Sequence, residues 1–154
     1  VGEDDVLLFV GDWCFAHKSV YYHKCREYRD RIQCKNIHLV VGNHDHGYQI
    51  RDLFSSTHDK VQINVCKQNI VLNHEAMAIW PDSHRGAWHC YGHSHAMAEG
   101  WLDKAMPSRR SMDVGVDNIA RLTGEYRPVS FRELQQFMAG RQGSEPQFNG
   151  EREQ

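Results

Sequence analysis

Nowhere in the 154 residues is there a run of roughly 18 apolar side chains, so no transmembrane helix is expected. Nor does the opening Val1-Gly2-Glu3-Asp4-Asp5 carry the basic flank of a secretory signal. Cysteine is sparse. Cys14, Cys25, Cys34, Cys66 and Cys90 make an odd five and never fall in C-x-x-C spacing, which argues against a disulfide framework or a thiolate zinc site. Free thiols in a reducing, cytoplasmic compartment are the expectation. An excess of one charge is missing as well: 20 acidic against 18 basic side chains give a formal net charge of -2. Without a polybasic field, membranes and long nucleic acids are poor partners, and any phosphate-bearing molecule must be gripped locally.

What is present is enough apolar matter for one core, 40% of the chain. Val6 to Val10 and Asn36 to Val41 are two apolar runs of β-forming residues, each stopped by a glycine and a polar residue. Between them Tyr21, Cys25, Tyr28 and Ile32 recur at helical spacing, with charged residues on the other face. Val61, Ile63 and Val65 alternate as a half-buried strand does, and Ile70 to Leu72 follows at hairpin distance across Lys67-Gln68-Asn69. Ala87 to Tyr91 and Met112 to Val116 are further strand candidates. Ser130 and Glu133 spell a capping box ahead of a helix that buries Phe131, Leu134 and Phe137 or Met138 and stops at Gly140. A domain over residues 1–140 and a flexible polar tail over 141–154 are therefore expected.

Histidine is the conspicuous residue, with eleven copies. Neutral imidazole is the commonest metal ligand among side chains. Four polar segments each follow a strand candidate: Gly11-Asp12, Gly42-Asn43-His44-Asp45, Asn73-His74 and Gly92-His93-Ser94-His95. Loops at strand ends of an α/β fold converge on one crevice. Two cations about 3.5 to 4 Å apart need a carboxylate that can bind both, and Asp12 suits that place. His74, His93 and His95 offer neutral nitrogens, and Asn43 a neutral oxygen. That mixed set suits manganese, iron, zinc or nickel better than calcium. His44 is the candidate to meet a leaving group or phosphate, with Asp45 orienting its ring from behind.

Each segment also has a plainer reading. Gly11-Asp12 is a common turn pair, and His17, His23, His38, His58 and His89 read as surface or hydrogen-bonded histidines. Arg85 is a candidate phosphate donor or a solvated loop residue, and Arg109-Arg110 reads as a solvated turn. Trp13, Trp80, Trp88 and Trp101 read as core and pocket wall.

In this order and spacing the four segments resemble the signature motifs of the calcineurin-like metallophosphoesterase superfamily. The likeness runs from about Val6 to Arg132 and is strongest toward its small bacterial and phage branch, through Asp4-Asp5, Trp13, Ser83-His84-Arg85-Gly86, Asp113 to Asp117 and Arg127 to Ser130. The resemblance implies a four-layer α-β-β-α sandwich of two mixed sheets with helices outside. It also implies hydrolysis of a phosphate mono- or diester in a small phosphorylated substrate, through a hydroxide activated by two divalent transition-metal ions. By position, Asp12 bridges the ions, Asn43, His74 and His93 complete one site, and His95 serves the other.

The superfamily opens with a strand ending in Asp-x-His, and nothing before Val6 matches it. Asp82-Ser83-His84 spells the pattern in another place. The expectation is therefore an N-terminally truncated domain with one whole metal site and half of another. The alternative is a metal-binding or interaction module of the same fold that does not turn over. A truncated sheet would expose a strand edge, so an oligomer is compatible with the sequence.

Overall fold

Branched and aromatic side chains favour a pleated strand over a helix, and Val-Leu-Leu-Phe-Val accordingly forms β1 (Val6–Val10). The computed structural model describes residues 1–141. β1 pairs in parallel with β2 (Asn36–Val40), and β2 in parallel with β3 (Ser56–His58). Parallel neighbours need a crossover. α1 (Tyr21–Asp30) supplies the first, and the short α2 (Gly47–Ile50) with a 3-10 turn over Arg51–Leu53 supplies the second.

Register then decides what is buried. Leu7 and Phe9 stand opposite Ile37 and Leu39, on the face that packs against Trp13, Tyr21, Cys25 and Ile50. Ile37 and Leu39 are wholly buried, each worth about 1.5–3 kcal/mol by removal from water. The helical stripe holds only in part. Tyr21 and Cys25 are buried, but Tyr28 is exposed, and Ile32 packs on the core from beyond the helix end at Asp30.

A second sheet runs β4 (Lys60–Val65), β5 (Gln68–Asn73), β6 (Trp88–Tyr91) and β7 (Ser111–Asp113) in spatial order. β4 and β5 are antiparallel, and the other pairs are parallel. Only this sheet is mixed; the three-stranded one is wholly parallel. The hairpin turn is Cys66-Lys67, both left-handed (φ 50° and 69°) as a two-residue turn matching strand twist requires, so Gln68 and Asn69 belong to the strand.

Val61, Ile63, Ile70, Leu72, Cys90 and Met112 line one face of this sheet, and they share a core with Leu8 and Val40 of the first sheet. Ile119 of α4 (Val116–Thr123) and Leu134 and Met138 of α5 (Phe131–Ala139) complete that core. The fold is thus α/β, with two sheets meeting through apolar side chains. α5 starts as its capping box directs: Ser130 Oγ accepts the Glu133 amide, and the Glu133 carboxylate accepts the Ser130 amide.

Further expectations are corrected. The strand candidate Met112 to Val116 ends at Asp113, because the Gly115 amide turns back onto the Asp113 carboxylate (2.7 Å) and Val116 opens α4. Arg109 is buried rather than solvated, bound to Glu99 and Asp103 of α3 (Glu99–Ala105) and to the Tyr91 hydroxyl. Arg141, assigned to the tail, is tied to Glu99, Asp103 and the Ser111 carbonyl. The rest of the tail, 142–154, lies outside the described residues. Trp13 and Trp80 are buried and Trp88 half-buried, whereas Trp101 is exposed. Among the described residues no helix is long and apolar enough to cross a membrane.

Candidate metal centre

All strands of the first sheet point the same way, as do β5, β6 and β7 of the second, so each sheet gathers its loops at one end. Hydrogen bonds stitch the two ends together. The Gly92 amide donates to the His74 carbonyl (3.0 Å), joining the ends of β5 and β6. His74 Nδ1 meets the Val10 carbonyl at 3.0 Å, joining β5 to β1. From the end of β2, the Asp45 carboxylate accepts the amides of Trp13 (2.7 Å) and Gly42 (2.9 Å), and the Tyr21 hydroxyl at 3.3 Å.

Asp12, His74 and His93 emerge from this stitching with ligand atoms all within 4.8 Å of one another. Asn43 Oδ1 lies 3.0 Å from His74 Nε2 and 2.9 Å from His93 Nδ1. Asp12 Oδ2 lies 3.3 Å from His74 Nε2. Because a carbonyl only accepts, the Val10 contact places the proton of neutral His74 on Nδ1, and Nε2 then presents a lone pair. That lone pair faces the oxygens of Asp12 and Asn43. Acceptors converging from three strand ends can be completed by a cation, and a histidine whose other nitrogen donates to a carbonyl has the orientation that metal sites require. The residues present fit a transition ion held by nitrogen and oxygen.

The backbone is shaped around this contact. Gly11 has φ 84°, and a Cβ there would collide with the His74 ring. A Cβ on Gly42 would collide with Asp12. Asp12 and His93 themselves adopt left-handed backbone, each at φ 58°, and so do His95 (48°) and Ala96 (68°). Such conformations cost on the order of 1–3 kcal/mol each and persist where the surroundings impose them, which is typical of functional sites.

For the 93–96 loop that surrounding group is Asp113. Wholly buried at the end of β7, its carboxylate accepts the Ser94 hydroxyl (2.7 Å) and the Ala96 amide (3.1 Å). Sequence reasoning placed Asp113 in a motif without giving it a task. The signal was its position, a carboxylate ending a strand and followed two residues later by glycine.

The remaining candidates fall elsewhere. His95 stands outside the cluster; its exposed ring is held by Asp117 of α4, Nδ1 to Oδ2 at 2.6 Å. His44 gives its backbone amide to Asp12 Oδ1 (3.1 Å), while its exposed ring rests 4.8 Å from that of Phe15. The bonds of Asp45 go to backbone amides and Tyr21 instead of the His44 ring, so it orders two loops rather than one imidazole. Arg85 is exposed beside Asp82 (3.7 Å), and Asp82 also receives Gln62; neither Asp82 nor His84 enters the cluster. His89 is fully buried and saturated, with Nδ1 donating to the Val71 carbonyl and Nε2 accepting the Met77 amide. Burial holds its pKa below the ordinary value for histidine. An open groove of about 420 Å³ begins at Asp12 and runs along residues 13–17 to Val20, Lys24 and Tyr28 of the first helical segment.

No family model and no curated protein matches the chain. Among solved structures it is similar to a protein of unknown function, AQ665 from Aquifex aeolicus, with a TM-score of 0.62 and 21% identity over 89% of this chain and 78% of that one. At that identity the likeness is one of fold.

Proposed function

We propose that the protein is a metal-dependent phosphoesterase of the calcineurin-like kind, built on a four-layer sandwich in which the shared core of the two sheets forms the middle. The observation that carries this reading is the convergence of Asp12, Asn43, His74 and His93 on one point, with His74 held in the tautomer a ligand needs.

These four residues would hold a manganese, iron, zinc or nickel ion. When bound, divalent transition ions supply Lewis-acid charge stabilisation to phosphoryl transfer. The chain's own groups do the positioning. Asp45 fixes the Asp12 and Asn43 loops against each other, and Asp113 fixes the loop carrying His93. His44, anchored through its amide at Asp12, carries its ring at the mouth of the site beside Phe15, where it can meet a phosphoryl oxygen or the departing group. In the net reaction water oxygen joins phosphorus, the ester P–O bond breaks, and the leaving oxygen takes a proton. The substrate is a small phosphate ester, consistent with the absence of a polybasic field. The unpaired cysteines support a cytoplasmic setting.

One observation favours a second reading. His95, which the family pattern gives to the other metal, is taken by Asp117. A module that binds one ion and does not turn over would look like this. Metal content after equilibrium dialysis, read beside turnover of bis(p-nitrophenyl) phosphate, separates the two. Two ions per chain with hydrolysis support the phosphoesterase; one ion with no hydrolysis supports the module.

A further inference from the structure

A second groove, of about 640 Å³, opens on the same rim of the fold. Its wall includes Val41, the residue before Gly42-Asn43, and His58, the last residue of β3. Lys60 contributes from the start of β4, opposite Asn73, the residue before His74. The groove is thus flanked in the chain by two of the four converging donors, and its volume lies in the range of small-molecule clefts.

Its chemistry differs from that of its surroundings. Arg51 and Lys60 both face it, and among the described residues neither is paired with a carboxylate; Asp59 is the one acid in the lining. In a chain of net charge -2, that is a local excess of positive charge. Tyr48 stands in the same wall with 80% of its surface exposed, and the Arg51 guanidinium lies over its ring at 4.8 Å from the centroid. A cation held on one aromatic ring makes a plate on which a further planar group can stack.

We infer that this groove is a subsite for a nucleotide carrying a phosphoryl group beyond the scissile one, with the base stacked at Tyr48 and the additional phosphate between Arg51 and Lys60. The inference rests on the phosphoesterase reading and narrows its substrate class from any small ester to a small nucleotide ester.

Adenosine 3′,5′-bisphosphate, titrated into the metal-free chain in chelator and followed by amide chemical shifts, tests the subsite apart from catalysis. The expected result is saturable shifts centred on Tyr48, Arg51 and Lys60, with adenosine and inorganic phosphate each binding at least tenfold more weakly. Tyr48→Ala and Arg51→Ala should each raise the dissociation constant fivefold or more, while Tyr48→Phe, which keeps the ring, should bind as the parent does. Shifts elsewhere on the surface, or equal binding of inorganic phosphate, would overturn the subsite. Turnover of bis(p-nitrophenyl) phosphate by the manganese-loaded chain reports on the underlying reading: hydrolysis without groove binding sinks the subsite alone, and groove binding without hydrolysis sinks the phosphoesterase.

Discussion

Val10 and His74 are joined by one hydrogen bond, from the ring Nδ1 to the last carbonyl of β1 at 3.0 Å, and that bond aims Nε2 at Asp12 and Asn43. A carbonyl of one sheet thereby orients a candidate ligand carried by the other. Gly11 makes room for it, so Gly11→Ala should both strain the left-handed turn, by about 1–3 kcal/mol, and displace the ring. Urea unfolding should show the loss of stability, and cobalt titration should show affinity lowered by about 10–100-fold, the usual effect of disturbing a ligand's support.

Asp113 should act on the same site from the opposite side. Asp113→Ala orphans the Ser94 hydroxyl and the Ala96 and Gly115 amides, and because these groups are half-buried each should cost about 1 kcal/mol, the low end of the range for an unpaired polar group. The visible absorption bands of the cobalt-loaded chain should shift, because the backbone at His93 relaxes. Asp113→Asn keeps one acceptor oxygen and should restore part of the affinity.

The pair Glu99 and Arg109 is almost wholly buried, 3.0 Å apart, with the side chains only 2% exposed. Both belong to a network with Asp103 and Arg141, so Glu99→Gln leaves Arg109 and Arg141 sharing the half-exposed Asp103 and should cost about 1–3 kcal/mol in denaturant unfolding. Combining it with Arg109→Met should cost less than the sum of the two single changes, since the two side chains contact each other directly and Asp103 and Arg141 remain paired.

His89 sets a pH dependence. Protonating its Nε2 would break the bond from the Met77 amide, and burial already holds the pKa below the ordinary value near 6.5. The unfolded chain therefore takes up this proton more readily than the folded one. The His89 contribution to stability is fully present above pH about 6.5 and declines as pH falls below it. Urea midpoints measured between about pH 7.5 and 5 should fall on acidification, and His89→Gln should lessen the slope.

Much of this was legible in the sequence where local chemistry decides the outcome. The apolar run ended by Gly11-Asp12 and the capping box of Ser130 and Glu133 depend on near neighbours, and the structure has β1 and α5 where those signals put them. The four polar segments marked the ends of β1, β2, β5 and β6, and the structure brings Asp12, Asn43, His74 and His93 together. Long-range partners left no such trace. Arg109 looks like a turn residue until Glu99 and Tyr91 are folded against it. His95 follows the pattern of its neighbour His93, yet Asp117 on a later helix takes its ring. Asp45 sits beside His44 in sequence, but its carboxylate serves the backbone of another loop.

The most direct test is the initial rate of bis(p-nitrophenyl) phosphate hydrolysis by the manganese-loaded chain, with chelator and with His74→Ala as companions. The expected result is saturable hydrolysis that chelator abolishes and that His74→Ala lowers by more than the roughly 10–100-fold cost of a supporting partner. Hydrolysis that survives chelator or His74→Ala unchanged, or no hydrolysis with manganese, iron, zinc or nickel, would contradict the account.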